Sequence, residues 1–389
     1  MRILFCNYEY PPLGGGGGII NCALARALAE RHEVTVLTSR AFDLPAEETV
    51  DHVRIIRVPV FFRRHIASSN LPSLFAYVLG AIAKGFSLVR RERFDIINTH
   101  FVLPSGPVGH ILSLISGTPN VLSIHGGDVF DPSKRLSPHR HFLFRWVIRG
   151  LIRQADRVVA QSRNTIANLH LYYTVDTRVD RIPLGIEEPP RFDVNRQELG
   201  FDDDDILLVT VGRLVARKQV EQLINLLVRM EQSKVKLVVI GSGPEKKRLK
   251  EHAMRLGVDG RVHWMGHVDE PIKQQALQNS DVFVSTSKHE GFGLVFLEAM
   301  AYGLPVVCYD NGGQTDFLSN GKNGYVVPLD DLEAIVQSCS LLVSDAAMRN
   351  AIGKTNVTDV REYFIDECAM KYEAIFEEIL HSRPRSVDS

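Results

Sequence analysis

Short, unbroken apolar runs alternate with longer segments of helical period along almost the whole chain, and this alternation limits the fold more than any other feature. In the first half the runs are Ile3–Cys6, Val34–Thr38, Val53–Val58, Phe94–Asn98, Val121–Ile124 and Arg157–Ala160. In the second half they are Ile206–Val211, Lys236–Ile240, Val262–Trp264, Val282–Ser285, Pro305–Cys308 and Gly324–Val327. Runs that are continuous rather than alternating suit parallel strands buried on both faces. The segments between them, such as Gln219–Met230 and Glu245–Leu256, place apolar residues at helical spacing. The expectation is an α/β chain with parallel sheets and crossover helices.

A chain of 389 residues is long for one core, so two domains are expected. The pattern breaks at the proline-rich stretch Pro183–Gly200. It is read as the join between Rossmann-like halves, residues 1–185 and 186–365, with 366–389 a helix returning toward the first half before a frayed tail. Four aspartates, Asp202–Asp205, stand just before a strand run and are read as a solvated turn rather than a metal site.

The halves differ in charge. Residues 1–190 hold 22 Lys and Arg against 16 Asp and Glu, and the rest hold 23 against 30. A basic first half suits an acidic partner, although scattered surface charge explains it equally well. The five cysteines form neither a disulfide framework nor a zinc pattern, and Met1–Asn7 carries no signal-peptide pattern. Leu71–Val89 spans a bilayer only marginally and is read as a buried or partly buried helix. A cytoplasmic protein is expected.

Four motifs fall at strand ends. In His289–Val307 a polar loop with Glu290 feeds a glycine-rich turn and a helix beginning near Gly293. A helix start directs free N–H groups at a diphosphate, and Glu298 on that helix suits ribose hydroxyls. In Val209–Lys218, Arg213 follows a strand and a glycine, with Lys218 near the next helix. Such cations can neutralise a departing nucleoside diphosphate without a metal. Tyr8–Gly18 carries five unbroken glycines after the first strand. In Ser123–Asp128, His125 is placed to hydrogen-bond a sugar or developing charge. No catalytic base is assigned.

Together these motifs resemble glycosyltransferase family 4, the retaining group with the GT-B fold, over nearly the whole chain. The resemblance implies two Rossmann-like domains with sheets facing across a cleft. It gives Glu298 the donor ribose, Glu290 the hydroxyls of the donor sugar, and Arg213 with Lys218 the diphosphate. Gly15 and Gly16 match the family's glycine pair near the donor phosphates, and His125 the histidine near the transferred sugar. Gly241 and the segment Gly266–Val268 resemble loops around the base and phosphates, and Gly293 and Leu294 at the helix start count among the donor-binding residues. Three positions depart from the pattern: Gln219 stands where a glycine is usual, Leu184 where an asparagine is common, and Asp316 where a glutamate is frequent.

The implied activity is retaining, metal-independent transfer of a hexose-type sugar from a UDP- or GDP-sugar, with no cofactor. The acceptor is a glycan, a lipid-linked molecule or a small molecule of cell-envelope or glycoconjugate synthesis. No nucleic-acid partner is expected. Arg135–Arg157 interleaves arginines with Phe142, Phe144 and Trp146, which reads either as a helix lying on an anionic membrane or as a core helix with solvated arginines. The competing functions are a silent sugar-nucleotide-binding subunit and a sugar-nucleotide epimerase on the same fold. A dinucleotide oxidoreductase fits less well, because the second strand run ends Thr38–Ser39–Arg40 where a ribose-binding acid belongs.

Overall fold

The computed structural model describes residues 1–382 apart from 64, 65, 67, 68, 133–135 and 231, and in it each half of the chain builds its own sheet. Arg135 and the tail expected to fray beyond Ser382 lie outside the described residues.

The first unit contains β1 (Arg2–Asn7), β2 (Glu33–Arg40), β3 (Glu47–Val50), β4 (Val53–Pro59), β5 (Ile96–His100), β6 (Asn120–Ile124), β7 (Arg157–Ala160) and β8 (Val179–Arg181). Its helices are α1 (Gly16–Ala29), α2 (Leu71–Arg91), α3 (Ser105–Ser116), α4 (Phe142–Gln154) and α5 (Arg163–Tyr173). The strand order is β3-β4-β2-β1-β5-β6-β7-β8, parallel except where β3 meets β4. Alternate residues of β1 enter opposite cores, as strand geometry requires. Ile3 and Phe5 join α1, while Leu4 and Cys6 join α2 and α3.

Helix α2 has a complete N-terminal cap. The Asn70 side chain accepts the Ser73 N–H at 2.9 Å, the Ser73 hydroxyl faces the Asn70 N–H at 3.3 Å, and Pro72 stands in the first turn. Only one side of this helix is buried, through Ser73, Tyr77, Ala81, Gly85 and Leu88. Among the described residues it is the one helix long and apolar enough to cross a bilayer, yet only 28% of its most apolar window lies inside the protein. This agrees with the expectation of a buried or partly buried helix over Leu71–Val89, with burial confined to one face.

The second unit, Glu188–Glu362, contains β9 (Ile206–Val211), β10 (Val235–Ile240), β11 (Val262–Gly266), β12 (Val282–Ser285), β13 (Val306–Tyr309) and β14 (Gly324–Val327). Its helices are α6 (Val220–Arg229), α7 (Lys246–Arg255), α8 (Glu270–Gln278), α9 (Leu294–Ala301), α10 (Leu332–Ser344) and α11 (Ala346–Asp359). The sheet is parallel, in the order β11-β10-β9-β12-β13-β14. Helix α6 shows why sequence period becomes structure here. Val220, Leu223, Ile224, Leu226 and Leu227 are all buried in the core above β9 and β10, each contributing about 1.5–3 kcal/mol relative to exposure.

The last helix, α12 (Ile365–Ser382), belongs to the first unit. Ile365, Cys368, Ala369, Tyr372, Ile375, Phe376 and Ile379 form its buried stripe, packed with Leu24 and Leu28 of α1. Glu373 holds it at the rim, accepting from Arg31 at 2.9 Å and from His32 at 2.8 Å.

The chain leaves the first unit after Glu187 and rejoins it at Tyr363. Most of the proline-rich stretch read as the join is fixed onto the second unit. Phe192 N–H donates to Gln278 at 2.9 Å, and Arg196 pairs with Asp281 at 2.9 Å. Two of the four aspartates of the turn pair with lysines, Asp205 with Lys236 at 2.5 Å and Asp204 with Lys234.

Candidate active site

In the second unit the chain runs outward from β9 through β10 to β11, then returns to place β12 on the other side of β9. The loops after β9 and β12 therefore diverge at a topological switch point, where open parallel sheets bind ligands. Arg213 and Lys218 stand on the first loop, Glu290 and Gly293 on the second, and Leu294 opens the helix that follows it.

Glu290 is the buried centre of this constellation, at 8% exposure. Its carboxylate pairs with Lys218 and lies 3.5 Å from Arg217. Burial pushes the Glu290 carboxyl up, but Lys218, Arg217 and a hydrogen bond from Ser287 together hold it below the usual range. The Arg213 guanidinium is exposed, and no acidic side chain pairs with it among the described residues. It is a cation without an internal counter-charge, beside a site where an anion would find one.

A group with a lowered pKa stabilises the fold above its unfolded value, and that contribution disappears as pH falls through the folded one. For Glu290 the unfolded value is 4.5, so the loss begins below that pH. Glu290→Gln should cost about 2 kcal/mol at neutral pH. Urea unfolding at pH 7 and pH 3 should show the gap from the parent chain closing at the lower pH.

Helix α9 starts after Gly293, whose φ of 92° is left-handed, and no side chain caps it. A side chain at Gly293 would run into the Phe296 ring. The Phe296 N–H donates to the Gly293 carbonyl at 3.0 Å, which leaves the N–H groups of Leu294 and Val295 at the helix start for an anion. Glu298, one turn on, is 24% exposed and accepts from Lys273 at 2.8 Å, and Lys273 also pairs with Glu270 at 2.8 Å. Burial raises the Glu298 carboxyl pKa, with Lys273 opposing.

Gly241 follows β10 with φ 136° and Gly266 ends β11 with φ 75°. The Gly241 N–H donates to the Gly266 carbonyl at 2.6 Å, and the Gly212 N–H donates to the Ile240 carbonyl at 2.9 Å. Val268 is half-buried just before α8. These turns fix the shelf beside the Arg213 loop. Gln219 adopts φ 45°, which explains why a glycine suits that position.

In the first unit the switch point lies between β1 and β5. The glycine run is only partly a loop, because Gly16, Gly17 and Gly18 already belong to α1, with Gly15 as its N-cap. The Gly15 N–H donates to the Glu9 carboxylate at 3.2 Å. A Cβ on Gly17 would lie 2.5 Å from the Phe101 ring, so the helix start closes directly onto the end of β5.

His125 follows β6 and stacks on Phe101, with centroids 4.3 Å apart. Its Nε2 lies 3.0 Å from Nδ1 of His100, and Asp128 accepts its backbone N–H at 3.0 Å. Burial lowers the His125 pKa to about 3, so the ring is neutral at pH 7. Its Nδ1 has no hydrogen-bond partner among the described residues.

The structure thus gathers Arg213, Lys218, Gly241, Val268, Glu290, Gly293, Leu294 and Glu298 at one edge of the second sheet. It places Gly15, Gly16 and His125 at the corresponding edge of the first. Arg217, Lys273, Glu9 and His100 were not singled out from sequence. Arg217 lay inside the VTVGRLVARK motif and was the most readable of the four.

Residues 14–188 match the family model described as Glycosyltransferase Family 4, and residues 191–357 match that described as Glycosyl transferases group 1. An uncharacterized glycosyltransferase of Methanocaldococcus jannaschii is 30% identical, over 94% of this chain and 94% of that protein. The chain belongs to glycosyltransferase family 4. This family-4 glycosyltransferase is also 26% identical to the N-acetyl-alpha-D-glucosaminyl L-malate synthase of Bacillus anthracis, over 95% of this chain and 96% of that one. Among solved structures, sucrose-phosphate synthase from Thermosynechococcus elongatus superposes with a TM-score of 0.84 at 22% identity, covering 98% of this chain and 100% of its own. The glycosyltransferase shares that protein's GT-B fold, with a parallel-sheet domain in each half.

Proposed function

We propose that this glycosyltransferase moves a hexose-type sugar with retention, without a metal, from a UDP- or GDP-sugar to a glycan, lipid-linked or small-molecule acceptor. The observation that carries the reading is the switch-point constellation of the second unit. An unpaired Arg213, a Lys218 shared with buried Glu290, and an uncapped helix start stand together at the end of β9 and β12. Those groups answer the charge of a nucleoside diphosphate as its bond to the sugar breaks.

In the reaction, the anomeric carbon's bond to the diphosphate oxygen breaks, and its bond to the acceptor oxygen forms on the same face. The departing diphosphate takes the acceptor's proton, so no protein nucleophile or base is required. Glu290 is assigned to the sugar hydroxyls and Glu298 to the ribose. Lys273 occupies one oxygen of Glu298 and leaves the other free to accept. Gly241 and Val268 are assigned to the donor's base and phosphates, Gly15 and Gly16 to the donor phosphates and acceptor, and His125 to the transferred sugar. We also assign a cytoplasmic setting with peripheral contact to the inner face of the membrane.

Melting shifts with UDP-, GDP- and ADP-sugars test the donor, since a ligand bound only by the folded state raises Tm. NMR of the product tests retention, and an inverted anomer overturns it. Donor binding without turnover on any acceptor would favour a silent binding subunit. Lys273→Ala should raise the donor KM roughly tenfold and leave kcat nearly unchanged, because it removes one charged hydrogen bond that orients Glu298.

A further inference from the structure

Residues 52–91 contain seven Lys or Arg and no Asp or Glu. Within that acid-free stretch the described residues expose Phe61, Phe62, Ile66, Leu71, Phe75 and Leu79, each between 55% and 75%. The two halves of the patch are tied together, because the Asn70 amide that caps α2 also donates to the carbonyl of Phe62. Along α2 the exposed residues Leu71, Phe75, Leu79 and Phe86 fall on a single stripe at helical spacing. Arg90 continues the stripe, with its guanidinium 4.5 Å from the Phe86 ring centre, and Lys84 and Arg91 are exposed near the same end.

An apolar stripe of this length is unusual on a soluble surface and marks an interaction site. The opposite side of α2 is locked into the core through Tyr77, Ala81 and Leu88, so the helix serves the fold and is not free to span a bilayer. The surroundings select the partner. The exposed cations Lys84, Arg90 and Arg91 at one end of the stripe ask for a negatively charged surface. A row of aliphatic and aromatic tips with no polar group between them asks for hydrocarbon, which imposes no hydrogen-bond register. Helix α4, on the same side of the sheet, exposes Phe142, Leu143 and Trp146 beside Arg145, and provides a second, shorter contact.

We propose that the loop around Phe61 and Phe62 and the outer stripe of α2 form the face that docks this protein on an anionic lipid bilayer. The inference deepens the peripheral contact assigned above and rests on it, while replacing the α4 segment by α2 as the main element.

Sedimentation with vesicles rich in phosphatidylglycerol, compared with pure phosphatidylcholine, tests it on the full chain. The parent should bind the anionic vesicles, and added salt should weaken that binding. Phe75→Ser with Leu79→Ser should weaken it roughly tenfold or more, because two apolar side chains leave the lipid. Phe142→Ser with Trp146→Ser should have a smaller effect. Both pairs change exposed side chains, so Tm and transfer to a water-soluble acceptor should stay at parent levels.

Three results would overturn the proposal: no binding to anionic vesicles at low salt, unchanged binding by the Phe75 and Leu79 variant, or vesicle-free self-association that this variant abolishes. The last would make the face a contact between copies. Vesicle binding without sugar transfer would instead strike the catalytic reading and leave this one standing.

Discussion

Replacing both Arg213 and Lys218 with alanine should lower kcat/KM for sugar transfer by at least about a thousandfold. The two residues have different roles in the fold, and this makes the test sharper. Lys218 shares the buried carboxylate of Glu290, so its loss leaves a charge without its main partner and lowers stability as well as rate. Arg213 is exposed and pairs with no acid among the described residues, so Arg213→Ala should leave Tm unchanged. The single change should still cost about a hundredfold in kcat, because one preorganised donor to a developing charge has that worth. Steady-state kinetics beside thermal melting separate the two effects. A double variant that transfers sugar at the parent rate would remove both residues from the chemistry.

Gly241→Ala should be the most damaging single change to the shelf on which Arg213 sits. The residue has φ 136°, a region that L side chains rarely adopt, and a Cβ there would collide with the carbonyl oxygen of Gly212. Strain and collision together should cost about 3 kcal/mol or more. That corresponds to a fall of roughly 10 °C in Tm for a unit of this size. Donor affinity should fall too, since the Gly212 carbonyl cannot move without carrying Arg213. Gly260→Ala is the matched control, because a Cβ there meets nothing within 4 Å, and it should melt at the parent temperature.

The second sheet was legible because its strands are continuous apolar runs buried on both faces. The run Ile206–Val211 coincides with β9, and Gly324–Val327 with β14. Two strands went unread. Glu47–Val50 is polar and mostly exposed at the sheet edge, and Val179–Arg181 is three residues long at the other edge. Neither carries an apolar signal, and their pairing comes from neighbours rather than from local pattern.

In the site, charged residues next to glycines at strand ends were readable, because the sequence itself places them there. Partners brought from another helix or strand were not. Lys273 reaches Glu298 across 25 residues, and His100 meets His125 across the same separation. No local spacing announces either contact. The glycine run is legible as a run after the first strand, but its secondary structure is not: three of its glycines open α1, where the close approach of Phe101 requires a small residue. The outer stripe of α2 escaped notice because apolar residues at helical spacing look the same whether they meet a core or nothing at all.

Sugar transfer as proposed requires side chains of the second unit to hold a nucleoside diphosphate unaided. Calorimetry of UDP and GDP binding in the presence of EDTA measures this directly, on the parent and on the Arg213→Ala, Lys218→Ala chain. At least one diphosphate should bind the parent, and the variant should lose roughly a hundredfold or more in affinity. Equal affinity in the two chains, or binding by the parent that EDTA abolishes, would contradict that requirement.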